Sequence, residues 1–224
     1  MRCVHCGSPI PAVYIQYSPG NIRLTKCENC KCIADEYVEC EVMIILIDLV
    51  LHKPEVYRHL FFNYQLVNHI DVQSIMWKTR FFFLLLDTWK WTLPGQGNID
   101  VVSFDSFMTF LSTFGKAFTK VVLSSFQFQL VVLIAARIFC EKQTSTRTRW
   151  TDLSLALLVS SYFKLFTLSM LVWDFSPLMV YIVDLLVLSS NIVALKVMLN
   201  TMTTIAATTI IAATLSNRLL CYLL

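Results

Sequence analysis

Four runs of this chain are apolar for long enough to cross a lipid bilayer as helices: residues 121–139, 153–173, 178–199 and 202–224. Inside roughly 30 Å of hydrocarbon no water can satisfy backbone amides, so a run of about 20 residues crosses only as a helix. The composition agrees. The chain of 224 residues is 56% hydrophobic and 15% charged, against about 25% charged in a soluble domain. The expectation is an α-helical polytopic membrane protein, with three to five spans overall and about three or four within residues 121–224. Polar groups interrupt these runs: Gln127, Gln129 and Arg137, then Lys164, then Asp184, Asn191 and Lys196, then Arg218. They are costly in lipid and should face other helices or water. A net charge of +3 is too small to argue for nucleic acid as a partner.

The beginning of the chain is different. Cys3-x2-Cys6 and Cys27-x2-Cys30 are two CxxC pairs twenty residues apart. Each pair can fold as a tight turn that presents two sulfurs to one ion, and zinc takes four thiolates tetrahedrally. Gly7 stands where such a knuckle often needs positive φ. Between the pairs, residues 12–17 and 21–25 are strand-like, and Pro19-Gly20 is a turn signal. Together these make a small zinc ribbon, a β-hairpin with a four-cysteine structural zinc at Cys3, Cys6, Cys27 and Cys30. So short a module needs the metal for folding energy. The competing readings are a disulfide framework and a redox pair. The polar start lacks a signal-peptide core, which places the N-terminus in the cytosol, where thiols stay reduced. No βαβ pattern surrounds either pair. Cys32 and Cys40 are left over in this part of the chain, Cys32 as a substitute ligand or, better, a packed spare thiol.

Residues 42–51 form an apolar run too short to span. Pro54 suits the first turn of a new helix. If the helix instead continues through a kink, Asp48, His52, Glu55 and His59 share one face within about 40°. That stripe is a metal or proton site, or a polar face turned to water or headgroups.

At this point a resemblance emerges. Cys3-Val4-His5-Cys6-Gly7, the block at 17–30 (Tyr17, Ser18, Gly20, Arg23, Leu24, Thr25 and the second CxxC), residues 34–39, and the block at 47–63 (Asp48, His52, Tyr57, Arg58, His59, Asn63) occur in order. This series resembles the homology domain of the Arv family (ACAT-related protein required for viability), over roughly residues 1–65. The resemblance implies a multi-pass protein of the endoplasmic reticulum that maintains sterol and sphingolipid distribution. It equally implies, as the alternative, an accessory role in assembly of glycosylphosphatidylinositol anchors beside the enzymes of that route. The partners it implies are therefore membrane lipids, sterols and sphingolipids, and, in the alternative role, anchor-assembly enzymes.

The expected organisation is a cytosolic ribbon at 1–33 and an Arv-type tail at 34–69 that is an interfacial or kinked first membrane helix. Amphipathic or interfacial helices at 70–120 and transmembrane helices at 121–224 follow. Residues 67–93 read as an interfacial helix, or as part of a span if Asp87 is buried. Phe104, Phe107, Phe110, Leu111, Phe114 and Phe118 fall within an arc of about 120°, so residues 105–120 form a strongly amphipathic aromatic helix. It either lies in the headgroup plane with its rings in the acyl boundary or packs on the spans. Residues 158–164 match a proposed cholesterol-contact pattern through Tyr162 and Lys164. Candidate lipid contacts are thus Phe104, Phe107, Phe110, Phe114, Phe118, Tyr162 and Lys164. Thr204, Thr208, Ala212 and Ser216 recur at i+4, a ladder that permits close helix approach, within the chain by default or else between chains. The basic loop at 141–151 belongs on the cytosolic side.

No catalytic constellation appears. The histidines are His5, His52, His59 and His69, none within the four long apolar runs. Asp184 alone makes no mechanism. The chain reads as a non-enzyme, with a membrane lipid-modifying enzyme as the lesser alternative.

Overall fold

The computed structural model describes residues 1–18, 20–64, 72–92, 104–142, 150–169 and 178–223. At the N-terminus β1 (Tyr14–Ser18) and β2 (Asn21–Leu24) pair antiparallel, Tyr14 opposite Leu24 and Gln16 opposite Ile22. The register shifts between Gln16 and Ser18, so Tyr17 is the extra residue of a bulge and stands 65% exposed. Gly20 turns the chain at φ +84, a conformation that costs glycine little. The hairpin, with its cysteine cluster, fits the expected ribbon.

Helix α1 (Val42–Val50) is nine residues long. It ends because His52 takes φ +57, which no continuing helix allows. Pro54 then starts α2 (Pro54–Arg58), which runs on as one π-helical turn, His59–Asn63. The continuous kinked helix is therefore absent, and the shared face of Asp48, His52, Glu55 and His59 with it. Their side chains part company: Asp48 meets Tyr37 and Lys53, His52 meets Ser189, and His59 meets Asp35. Asp48 and His59 are buried rather than turned to water.

Five longer elements follow: α3 (Val72–Thr92), α4 (Phe104–Lys142), α5 (Trp150–Ser160) with a 3₁₀ continuation at Ser161–Leu168, α6 (Leu178–Leu199) and α7 (Thr203–Leu223). Among the described residues, three helical segments are long and apolar enough to cross a membrane: Met108–Ile138, Thr151–Leu168 and Leu178–Leu199. The fourth expected span is the helix α7, which falls outside that set. The Pro94–Gly97 break, most of the basic loop at 141–151 and the turn at 173–177 lie outside the described residues.

The aromatic segment is not a separate helix. It is the first part of α4, a helix of 39 residues that continues unbroken past Gly115. Phe110, Phe114 and Phe118 are half-buried, and their row runs on at three- and four-residue spacing through buried Val121 and Ser124 and half-buried Phe128 to buried Val132 and Ala136. Phe118 meets Phe81 of α3 edge-on at 6.5 Å. The phenyl face thus begins the stripe that packs α4 on its neighbours. Met108, Leu111, Leu123, Phe126, Leu130, Ile134 and Ile138 form the outward apolar face. The side chains of Phe104 and Phe107 lie outside the described residues.

One core gathers Val132 and Ala136 of α4, Leu153, Ala156 and Leu157 of α5, Leu195 and Met198 of α6, and Ala206, Ile210 and Ala213 of α7. The packing face of α7 is therefore Ala206, Ile210 and Ala213. The ladder expected to pack sits elsewhere, since Thr204, Thr208 and Ala212 are exposed. Polar groups inside the helical part meet one another. Lys164 pairs with Asp87 at 2.6 Å and Lys90 with Asp184 at 2.6 Å. Ser160 donates to Asn191, and Gln127 donates to the Ser216 carbonyl at 3.3 Å.

Replacing Asp87 by Leu leaves the Lys164 ammonium without its counter-charge. The expected loss is about 2 kcal/mol, below the ~3–5 kcal/mol of a fully buried pair because the two side chains are 26% and 23% exposed. Adding Lys164→Met should recover most of it, and thermal unfolding of the detergent-solubilised chain reads both.

Candidate metal centre and its junction with the helices

The two knuckles are built alike. The Cys3 N–H donates to the Ser8 carbonyl and the Gly7 N–H to the Cys3 carbonyl. In parallel, the Cys27 N–H donates to the Cys32 carbonyl and the Lys31 N–H to the Cys27 carbonyl. Each turn needs a left-handed residue after its second cysteine. Gly7 takes φ +75 and Lys31 takes φ +63. Glycine makes the first turn legible, while lysine hides the second.

These turns aim four thiols at one point. Cys3 Sγ lies 3.7 Å from Cys30 Sγ, Cys6 Sγ lies 3.6 Å from Cys27 Sγ, and all four sulfurs fall within 4.8 Å of one another. Thiolates about 2.3 Å from a tetrahedral ion stand ~3.8 Å apart, so the set has the spacing of a four-sulfur metal site. Cys3, Cys6, Cys27, Cys30, Cys32 and Cys40 are all unbridged. The Ser8 hydroxyl, 3.2 Å from Cys6 Sγ, favours the thiolate and brings that thiol down to about 6, with the Ser8 backbone adding to it. Cys40 is the opposite case. Burial pushes its thiol up, and Glu36, Asp35 and Asp48 add to the rise. Cys32 is exposed rather than packed and is not one of the four clustered thiols.

The ribbon is fastened to α2 by a buried carboxylate. Asp35 is wholly inaccessible. One oxygen accepts the Tyr37 N–H at 3.1 Å, and the other receives His59 Nδ1 at 2.8 Å and Asn63 Nδ2 at 2.7 Å. Asn63 also closes a two-way clamp on Arg2, donating to its carbonyl at 2.7 Å and accepting from its N–H at 2.8 Å. Arg58 donates to the carbonyls of Val4 at 2.6 Å and His5 at 2.9 Å, which ties it to the backbone of the first knuckle. Beside this, the Tyr37 hydroxyl donates to Asp48 at 2.8 Å and Lys53 Nζ pairs with Asp48 at 2.7 Å. Lys53 first, then Tyr37, holds the Asp48 carboxyl below the usual carboxylate range.

The junction also reaches the long helices. The Tyr57 hydroxyl shares a hydrogen bond with Ser190 of α6 at 2.8 Å, and His52 Nε2 with Ser189 at 3.0 Å. Tyr162 of the 3₁₀ segment donates to the Leu49 carbonyl at 2.8 Å. Val4, Tyr37, Leu49, Val56, Tyr57, Ala194 and Val197 form one core around these bonds.

Of the residues singled out from the sequence, the four cysteines come together. Asp48, His52, Tyr57, Arg58, His59 and Asn63 all join the interface between ribbon and helices. Tyr17, Ser18, Gly20 and Arg23 lie on the exposed hairpin, Leu24 is half-buried, and Thr25 Oγ1 donates to the Ala12 carbonyl at 2.7 Å. Tyr162 and Lys164 have their polar atoms committed to Leu49 and Asp87. Asp35 stands in the sequence only as part of the block at 34–39, with no role of its own, and Ser189 and Ser190 are not singled out. The available signals were an acidic stretch directly after the ribbon and a polar Ser-Ser-Asn triplet inside an apolar helix.

A family model described as the Arv1-like family matches residues 2–195, well past the roughly 65 residues that carried the resemblance. The chain is 42% identical over 212 residues to "Protein ARV 1" of Arabidopsis thaliana, covering 94% of this chain and 84% of that protein. It is 43% identical over 196 residues to "Protein ARV 2" of the same plant, with 88% and 82% covered. It is 26% identical over 204 residues to "Protein ARV1" of Homo sapiens, with 89% and 72% covered. No solved structure matches it.

Two outcomes are expected. The purified full chain should carry about one zinc ion per molecule by elemental analysis. Cys27→Ser should cut that below half, and acid should release the metal from the unaltered chain because its ligands must be thiolates. Separately, Asp35→Ala leaves buried His59 and Asn63 donors unmet, at about 1–3 kcal/mol for each. Limited proteolysis should then cleave between ribbon and α2 much faster than in the parent chain.

Proposed function

The chain belongs to the Arv1-like family, and on that premise we propose that it mediates sterol homeostasis as a multi-pass protein of the endoplasmic reticulum membrane. In this reading it promotes movement and distribution of sterol, and of sphingolipid, among membranes. Its N-terminal ribbon faces the cytosol and carries a structural zinc ion on Cys3, Cys6, Cys27 and Cys30.

The observation that carries the reading is the coupling of the ribbon to the helices. Tyr57 to Ser190, His52 to Ser189 and Tyr162 to Leu49 join the homology domain to α6 and the 3₁₀ segment. The ribbon thus stands in direct contact with helices whose outward residues, such as Leu165, Phe166 and Leu185, suit contact with lipid. Zinc's part is to supply folding energy to a module too small to hold itself together. A non-enzymatic role is supported by the histidines. Among the described residues, His52 and His59 are each engaged by a structural partner, Ser189 and Asp35.

The test is exchange of a fluorescent sterol between donor and acceptor liposomes. Zinc-loaded full chain should raise the rate several-fold, and the Cys27→Ser chain should lose most of that gain. An unchanged rate with the zinc-loaded chain would overturn the reading. If that chain also co-purified with an anchor-assembly enzyme, the accessory role in glycosylphosphatidylinositol assembly would take its place.

A further inference from the structure

A helix at a water-facing surface turns its apolar stripe inward and its polar residues outward. Helix α1 is arranged the other way. At about 100° per residue, half-buried Ile45 and buried Asp48 and Leu49 occupy one side. Val42, Met43, Ile44, Leu46, Ile47 and Val50 fill the remaining arc of about 200°, each between 45% and 69% exposed. Leu51 just beyond is 62% exposed. The single polar side chain, Asp48, is the one turned inward, where Tyr37 and Lys53 meet it.

The depth of α1 is set by what it packs on. Its Leu49 carbonyl accepts the Tyr162 hydroxyl at 2.8 Å, and Tyr162 belongs to the candidate span Thr151–Leu168. Leu49 also shares a core with Ala194 and Val197 of the candidate span Leu178–Leu199. Charged groups bracket the helix, Glu39 and Glu41 before it and Lys53 after it.

We propose that α1 is a half-membrane helix whose outward face lies among the acyl chains of one leaflet, so that it seats the homology domain directly on the bilayer. Nine residues extend about 13.5 Å, less than half of the ~30 Å hydrocarbon, so α1 enters a leaflet without crossing. A partner helix covers a stripe of roughly 100°. An apolar arc about twice as wide is the pattern of a helix solvated by lipid on every side that protein does not cover. The proposal rests on the membrane reading of α4, α5 and α6, and not on sterol handling.

The test is photo-crosslinking of the full chain in phosphatidylcholine liposomes. Benzoylphenylalanine is introduced singly at Ile47, Val50, Glu28 of the ribbon or Ile134 of α4, all exposed positions. Lipid adducts are then read by mass spectrometry. Ile47 and Val50 should give several-fold more lipid adduct than Glu28 and approach Ile134. Adducts at Ile134 but none at Ile47 and Val50 would overturn the proposal while leaving the spans intact. So would crosslinks from Ile47 to a second copy of the chain, or equal lipid labelling at Glu28 and Ile47. Absence of lipid adducts at all four positions would overturn it together with the membrane reading.

Discussion

The structure hangs on one buried carboxylate. Asp35 has no access to solvent, and an anion there is tolerable only if donors replace the water it has lost. Three do: the Tyr37 N–H, His59 and Asn63. Those donors come from its own loop and from the π-helical turn that ends α2. Satisfying Asp35 therefore means docking the ribbon on α2. The Asn63 clamp on Arg2 and the Arg58 bonds to Val4 and His5 then fix the first knuckle in place. A module held by metal alone would be free to swing, whereas this one shares a core with α6 through Val4, Tyr57 and Ala194.

The helical part repeats the same logic with partly exposed pairs. Lys164 with Asp87 and Lys90 with Asp184 bring charges together where single ones would be costly. Asp87 and Lys90 are three residues apart on α3, so both lie on one face. Through them α3 is joined to the 3₁₀ segment and to α6 at once. Such pairs contribute little as net attraction. Their effect is on register, because sliding α3 by one turn would separate both.

Much of the candidate site was legible. The two CxxC pairs at their spacing placed four sulfurs correctly, because a knuckle is a local turn whose geometry depends on a few consecutive residues. The Gly7 conformation was legible for the same reason, and Lys31 was not, since lysine gives no sign of a left-handed backbone. The stripe of Asp48, His52, Glu55 and His59 failed because it assumed helical continuity through a residue that takes φ +57. The aromatic helix was rightly read as helical and amphipathic. Its cover stayed open between acyl chains and neighbouring helices, because an aromatic face looks the same whether phenyl rings or acyl chains cover it. Only the proximity of Phe81 decides between them.

What the sequence alone determined is everything that depends on near neighbours: apolar runs that must be helical in lipid, tight turns around paired cysteines, a hairpin, and blocks diagnostic of a family. The tertiary structure decided which distant residues meet. Asp35 with Asn63, Tyr57 with Ser190 and Lys164 with Asp87 lie 28, 133 and 77 residues apart. No periodicity encodes such pairings. Each arises because a polar group removed from water must find its complement, and the fold is the arrangement in which these groups do so together.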